Sequence, residues 1–119
     1  MTSTANHHDL YRRWLDELWG GQPGAAERLV SEAFVGHWPG RDVHGPHELV
    51  ATITETRAMF SDITFALEVG PVVEGELVAG RWRGVGTTAE GTMSFFGNDL
   101  LRVEGGRFVE YWTASSSGT

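Results

Sequence analysis

TMSFFGNDLLRVEGGRFVEYWT, residues 92–113, decides how the rest of the chain is read. Alternation at period two puts Met93, Phe95, Gly97, Asp99, Leu101 and Val103 on one face, with Ser94, Phe96, Asn98, Leu100 and Arg102 on the other. Gly105-Gly106 is a two-residue hairpin signal. Pairing outward from it predicts Glu104 opposite Arg107, Leu101 opposite Glu110 and Asp99 opposite Trp112. Asp99 then stands on the more apolar face of a hairpin strand. An ionised carboxylate is costly to bury unpaired, so it finds a partner or raises its pKa and takes a proton. Asp99 is therefore a candidate general acid/base.

Upstream of the hairpin the chain reads as strands. Ile63, Phe65, Leu67 and Val69 alternate with polar and small residues, Pro71 interrupts, and Gly75-Glu76 turns into a strand over residues 77–85. On that strand Trp82 points away from its neighbours Arg81 and Arg83. The small residues at 84–91 read as a connection.

The first half is helical. Leu10, Trp14 and Leu18 recur at intervals of four beside Tyr11 and Leu15, and Gly20-Gly21 stops the pattern. Residues 25–33 read as a short helix, residues 34–38 as extended before Pro39-Gly40, and residues 41–44 as a polar loop. Gly45-Pro46 opens a third helix that ends near Phe60-Ser61. Helices followed by antiparallel strands argue a single α+β domain over residues 1–119, helices packed on one face of a curved sheet, with tails at about 1–6 and 114–119.

Composition narrows the chemistry. The 119 residues carry no cysteine and no lysine among nine basic side chains, which removes disulfides, thiolate sites, a cysteine nucleophile and a Schiff-base lysine. A net charge of −7 without a basic stripe argues against nucleic acid and anionic membrane as partners. No apolar run approaches the ~20 residues a bilayer crossing needs, and the polar start lacks a signal-peptide pattern, so a cytoplasmic location is expected. His7-His8 read as solvated histidines at a mobile end, and the His44/His47 pair has no completing carboxylate, so no metal site is assigned. No Gly-rich phosphate loop and no Gly-x-Ser-x-Gly is present.

With these elements in place, the chain resembles the SnoaL-like polyketide cyclase family of the nuclear-transport-factor-2-like superfamily, cone-shaped (cystatin-like) α+β folds. The resemblance runs from about Leu10 to Trp112. It is most specific in GNDLLRVEGGRFVEYW, residues 97–112, where an Asp precedes an Arg by three, a glycine turn follows, and the family's usual Glu-His-Trp ending reads Glu110-Tyr111-Trp112. Residues 34–45, with His37 and Pro39, resemble the segment before the family's third helix. Residues 59–65, MFSDITF, resemble its Phe-Pro-Asp phrase, with Ser61 for the proline. The connection at 84–93 departs from the pattern: it is shorter, and Thr87-Thr88 occupy the place of a His-containing phrase.

The resemblance implies a cavity closed by the helices and an aspartate, Asp99 by position, that moves a proton during intramolecular aldol ring closure. It also implies a homodimer or higher homo-oligomer through the outer sheet face, where Phe96, Leu100 and Tyr111 are expected. On this basis the chain is expected to be a cofactor-independent cyclase or isomerase of secondary metabolism, taking a small apolar or polycyclic carbonyl compound. Asp99 and His37 are the catalytic candidates; Trp14, Phe34, Trp38, Arg81, Phe95, Glu110 and Trp112 are the substrate-binding candidates. Three alternatives stay open. Asp99 can instead accept hydrogen bonds from an arginine or tryptophan as a structural group, His37 can cap a strand or loop, and the aromatic cavity can serve a non-catalytic binding module. An allylic proton shift of the ketosteroid-isomerase type needs the same carboxyl and cavity. An epoxide hydrolase calls for two strand aspartates bridged by arginine, and besides Asp99 only Asp62 stands near a strand.

Overall fold

The six-stranded sheet of this computed structural model, which describes residues 4–118, has the strand order β2-β1-β6-β5-β4-β3. Its strands are β1 (Val30–Trp38), β2 (Arg41–His44), β3 (Asp62–Glu74), β4 (Leu77–Thr88), β5 (Gly91–Glu104) and β6 (Arg107–Gly118). β1 runs parallel to β6, and every other neighbouring pair is antiparallel. Helices α1 (Thr4–Arg13), α2 (Ala26–Leu29) and α3 (Gly45–Ala58) complete the chain. Leu10, Tyr11, Trp14, Leu15 and Leu18 pack with Phe34, Leu49, Val78, Leu101, Val103 and Phe108 into one core on the inner face. This is the expected α+β architecture.

Several boundaries differ from the sequence reading. Residues 4–6 are helical and residues 114–118 extend β6, so the described part of both expected tails belongs to the fold; Met1, Thr2, Ser3 and Thr119 lie outside the described residues. Val30 begins a strand that replaces the second half of the expected helix over 25–33, and the polar loop at 41–44 is the edge strand β2. The supposed connection at 84–91 is mostly β4, turning at Ala89-Glu90.

After α1 the chain widens into a π-helical turn, Trp14–Leu18, closed by Trp19 N–H donating to the Trp14 carbonyl. Such bulges shift the helix face, and here the shift brings Leu15 and Trp19 over the inner sheet. Arg57 of α3 clamps the end of this turn, its guanidinium donating to the Trp19 carbonyl at 2.7 Å.

The decisive local feature is a bulge. Glu104 faces Arg107 and Val103 faces Phe108, but the next pair is Arg102 with Glu110, leaving Val109 unmatched. A one-residue slip turns every following side chain to the other face. Leu101 therefore faces Tyr111, not Glu110, and Asp99 faces Thr113, not Trp112. Tyr111, expected on the outer face, is 2% exposed in the core.

Two strand glycines make room for what surrounds Asp99. A Cβ at Gly80, directly across from Asp99, would stand 2.6 Å from the Tyr11 ring, and one at Gly97 would collide with the Trp82 indole. Any side chain there would push these two rings off the sheet.

Candidate active site

Asp99 is 4% exposed and receives four hydrogen bonds. Tyr11 O–H donates to Oδ2 at 2.9 Å. Oδ1 accepts from Tyr111 O–H at 2.9 Å, Thr113 O–H at 2.9 Å and Trp82 Nε1–H at 3.1 Å. One donor comes from α1, one from β4 and two from β6, so the carboxyl ties the helical layer to three strands. Burial raises its pKa above the ordinary aspartate range, and the hydrogen bonds from Trp82, Tyr111, Tyr11 and Thr113 offset only part of that rise. Burial, and then the nearby Asp99 charge, push the Tyr11 and Tyr111 hydroxyls up as well, so both phenols stay protonated donors.

Above this floor lies a cavity of about 420 Å³. Aromatic rings make most of its wall: Trp19, Trp38, Phe60, Phe65, Trp82, Phe95 and Tyr111. Met59 and Met93, both exposed, also line it, and Thr56, Thr113, Ser115 and Ser116 supply hydroxyls. No charged side chain among the described residues lines it. A second void of about 20 Å³, room for one water, lies beside the carboxyl and is bounded by Leu15, Trp19, Phe65, Trp82, Asp99 and Tyr111. Trp19, Phe65, Trp82 and Tyr111 belong to both walls, so they form the partition between Asp99 and the larger space.

The remaining candidates separate by face. Trp38 and Phe95 line the cavity, Trp38 edge-on to Tyr111 with centroids 5.0 Å apart and Phe95 stacked on Phe60 at 5.8 Å. Trp14 and Phe34 are both fully buried, 6.1 Å apart, and belong to the core beneath. Arg81, His37, Glu110 and Trp112 stand on the opposite side of the sheet, the last two turned there by the Val109 bulge. Arg81 and Arg83 each donate to Glu68 at 2.9 Å, and Arg81 lies 4.2 Å from the Phe96 ring centroid. Neither arginine reaches Asp99, so the arginine half of the structural alternative does not form, whereas the tryptophan half does, through Trp82 Nε1–H.

His37 bridges two carboxylates, with Nε2 2.8 Å from Glu110 and Nδ1 3.0 Å from Asp42, and it stacks on Trp112. The hydrogen bond to Glu110, then that to Asp42, raises its pKa. A histidine that gains partners on folding stabilises the native state below its unfolded pKa of about 6.5 and loses that contribution as pH rises through the native value. His37→Gln is therefore expected to lower the denaturation midpoint in mildly acidic buffer and to leave it nearly unchanged in alkaline buffer. Urea melts across that range read the difference.

His7, expected to be a solvated tail residue, is 1% exposed and reaches Glu76 at 3.2 Å. His44 and His47 are exposed, and no group of three or more His, Asp or Glu side chains among the described residues is arranged to hold a metal.

Residues 11–111 match the SnoaL-like domain family. The chain belongs to that family. Its fold is shared by several solved structures. One is a candidate SnoaL-like polyketide cyclase from Jannaschia sp., 17% identical with a TM-score of 0.86 over 98% of this chain and 90% of that one. A candidate polyketide cyclase from Bacillus cereus is 25% identical, with a TM-score of 0.80 over 90% and 72% of the two chains. AclR, a candidate hydroxylase from Streptomyces galilaeus, is 17% identical, with a TM-score of 0.83 over 96% and 81%. No curated protein matches the sequence. The cone expected of a SnoaL-like domain is thus present, with Asp99 at its floor. Its polar partners Tyr11, Tyr111 and Thr113 were not among the sequence candidates. Tyr11 was legible only as a core position on a helical stripe; the other two depend on a bulge that no residue type announces. No helix among the described residues is long and apolar enough to cross a membrane.

Proposed function

We propose that this SnoaL-like domain is a cofactor-independent cyclase or isomerase in which Asp99 moves a proton on a neutral, mostly apolar, ring-forming carbonyl compound. The observation that carries this reading is a buried carboxyl with a raised pKa, free of any arginine, behind the wall of an uncharged aromatic cavity whose lining residues Trp82, Tyr111 and Thr113 donate to it. Proton abstraction beside a carbonyl needs a base tuned towards neutrality and donors for the developing oxyanion. Asp99 supplies the first, and the Ser115 hydroxyl at the cavity wall would supply the second, the hydroxyl protons of Thr56 and Thr113 being given to the Thr52 carbonyl and to Asp99. Attack of the enolate carbon on a second carbonyl within the same molecule would close a ring; return of the proton to another carbon would isomerise it.

One observation favours a second reading, a non-catalytic small-molecule-binding module: all four donors around Asp99 are already engaged with it. Deuterium exchange separates the two. In heavy water, the protein is expected to accelerate loss of the protons beside the carbonyl of 2-tetralone, a neutral fused-ring ketone, followed by NMR. Binding without exchange would instead identify a ligand carrier.

We further propose that a second copy covers the outer sheet face, where Leu100 and Val85 are 40% and 38% exposed beside Phe96 and Trp112. Sedimentation equilibrium is expected to give the dimer mass, and Leu100→Arg the monomer mass.

A further inference from the structure

We propose that Asp99 exchanges its proton with the cavity occupant through the Thr113 hydroxyl, so that Thr113 is a second catalytic residue. This rests on the acid/base reading above and adds the route.

The partition sets the problem. Asp99 contributes to the wall of the 20 Å³ void but not to that of the 420 Å³ cavity, so a ring-sized molecule in the cavity does not touch the carboxyl. Three of its four hydrogen-bond partners, Trp82, Tyr111 and Thr113, do line the cavity. A relay must accept one proton while giving up another. The Trp82 indole N–H is a donor only and fails that requirement. The Tyr111 hydroxyl sits in a fully buried bond to Asp99, and Tyr111 offers the cavity its ring, against which Trp38 packs edge-on. The Thr113 hydroxyl carries one proton and two lone pairs, lies 2.9 Å from Oδ1, and sits in a bond only partly buried, at the cavity wall. Among the described residues that line the cavity, Thr113 is the one whose hydroxyl bonds the carboxyl outside the fully buried interior.

The step balances without any further reactant. The proton on the carbon beside the ligand carbonyl passes to Thr113 Oγ1 as the Thr113 hydroxyl proton passes to Asp99 Oδ1. The C–H electron pair becomes the enolate, with its charge on the carbonyl oxygen. Reversal of both transfers returns a proton to carbon and restores the carboxylate. The Val109 bulge is what makes this possible, because the unbulged register would put Trp112 across from Asp99.

The test uses 2-tetralone exchange with Thr113→Val, which keeps the shape and removes the hydroxyl, and Thr113→Ser, which keeps the hydroxyl. Rates are compared on the plateau above the Asp99 pKa, so that a shifted pKa is not mistaken for a lost route. Ketone affinity is read separately from quenching of Trp19, Trp38 and Trp82, all of which line the cavity. The expected result is a roughly tenfold to hundredfold slower plateau rate for Thr113→Val with unchanged affinity, and a near wild-type rate for Thr113→Ser. Should Thr113→Val not fold, Thr113→Ala removes the same hydroxyl and is expected to be slow too. A Thr113→Val rate equal to wild type overturns the relay and leaves a water in the small void, or Tyr111, as the route. Equal losses for Ser and Val overturn it as well. If exchange depends on Asp99 while Thr113→Val is fast, the relay alone fails; if Asp99→Asn leaves exchange intact, the acid/base reading itself fails.

Discussion

Asp99→Asn is expected to slow exchange of the 2-tetralone protons by roughly a hundredfold to ten-thousandfold, the range over which a positioned general base contributes, while the protein remains folded. Folding survives because the amide can be accommodated. Its oxygen can face the Trp82 N–H, which cannot turn around, and its NH₂ can donate to Tyr11, whose hydroxyl can rotate to accept. Loss of activity in this variant therefore reports chemistry rather than unfolding. The pH dependence has a definite sign. Exchange needs the ionised carboxylate, so the wild-type rate rises with pH through the raised Asp99 pKa and then levels. Stability runs the opposite way. The native carboxyl binds its proton more tightly than the unfolded chain does, so wild type loses stability as pH rises from about 3.9 through the native value. Asp99→Asn lacks that slope, and denaturant midpoints of the two proteins against pH show it.

Trp14→Ala is expected to cost about 3–5 kcal/mol, enough to leave the protein barely folded. The indole is fully buried, edge-on to Phe108 at 5.6 Å and 4.8 Å from the Tyr111 ring centroid, so truncation opens a hole directly behind an Asp99 donor. Trp14 Nε1 is buried with no hydrogen-bond partner among the described residues. A buried donor left unbonded costs stability, so Trp14→Phe removes that penalty while losing packing volume and is expected to lose far less. Chemical denaturation of the pair measures both. A cavity-wall residue would behave differently, with ligand affinity changing more than stability, and Trp14 is expected to show the reverse.

Much of this fold was legible because strong local rules agreed with it. The alternation along β5 correctly gave its inner face, Gly105-Gly106 correctly set the turn and the Glu104–Arg107 pair, and Gly45-Pro46 correctly opened α3. The misreadings share a physical origin. The serines after Ala114 carry no strand pattern, yet their backbone pairs with β5 from Gly97 to Phe95, and backbone pairing does not depend on apolar side chains. Gly84 and Gly86 look like a loop because they lack side chains, but they sit in β4 beneath the rings of Phe95 and Phe60. The site itself was legible only as far as Asp99. A single extra residue at Val109 moved Glu110 and Trp112 off its face and put Tyr111 and Thr113 there instead. Register of that kind is set by how the whole hairpin packs on the helices, which period-two counting does not contain.

The most direct measurement is the pKa of the Asp99 side chain, by carbon-detected NMR titration of labelled protein with Asp99→Asn as the assignment control. A carboxyl kept for proton transfer titrates well above the ~3.9 of an ordinary aspartate, as its burial predicts. A value below that would mean that the four hydrogen bonds outweigh burial and hold a permanent anion, and Asp99 would then be a structural hub of a ligand-binding domain.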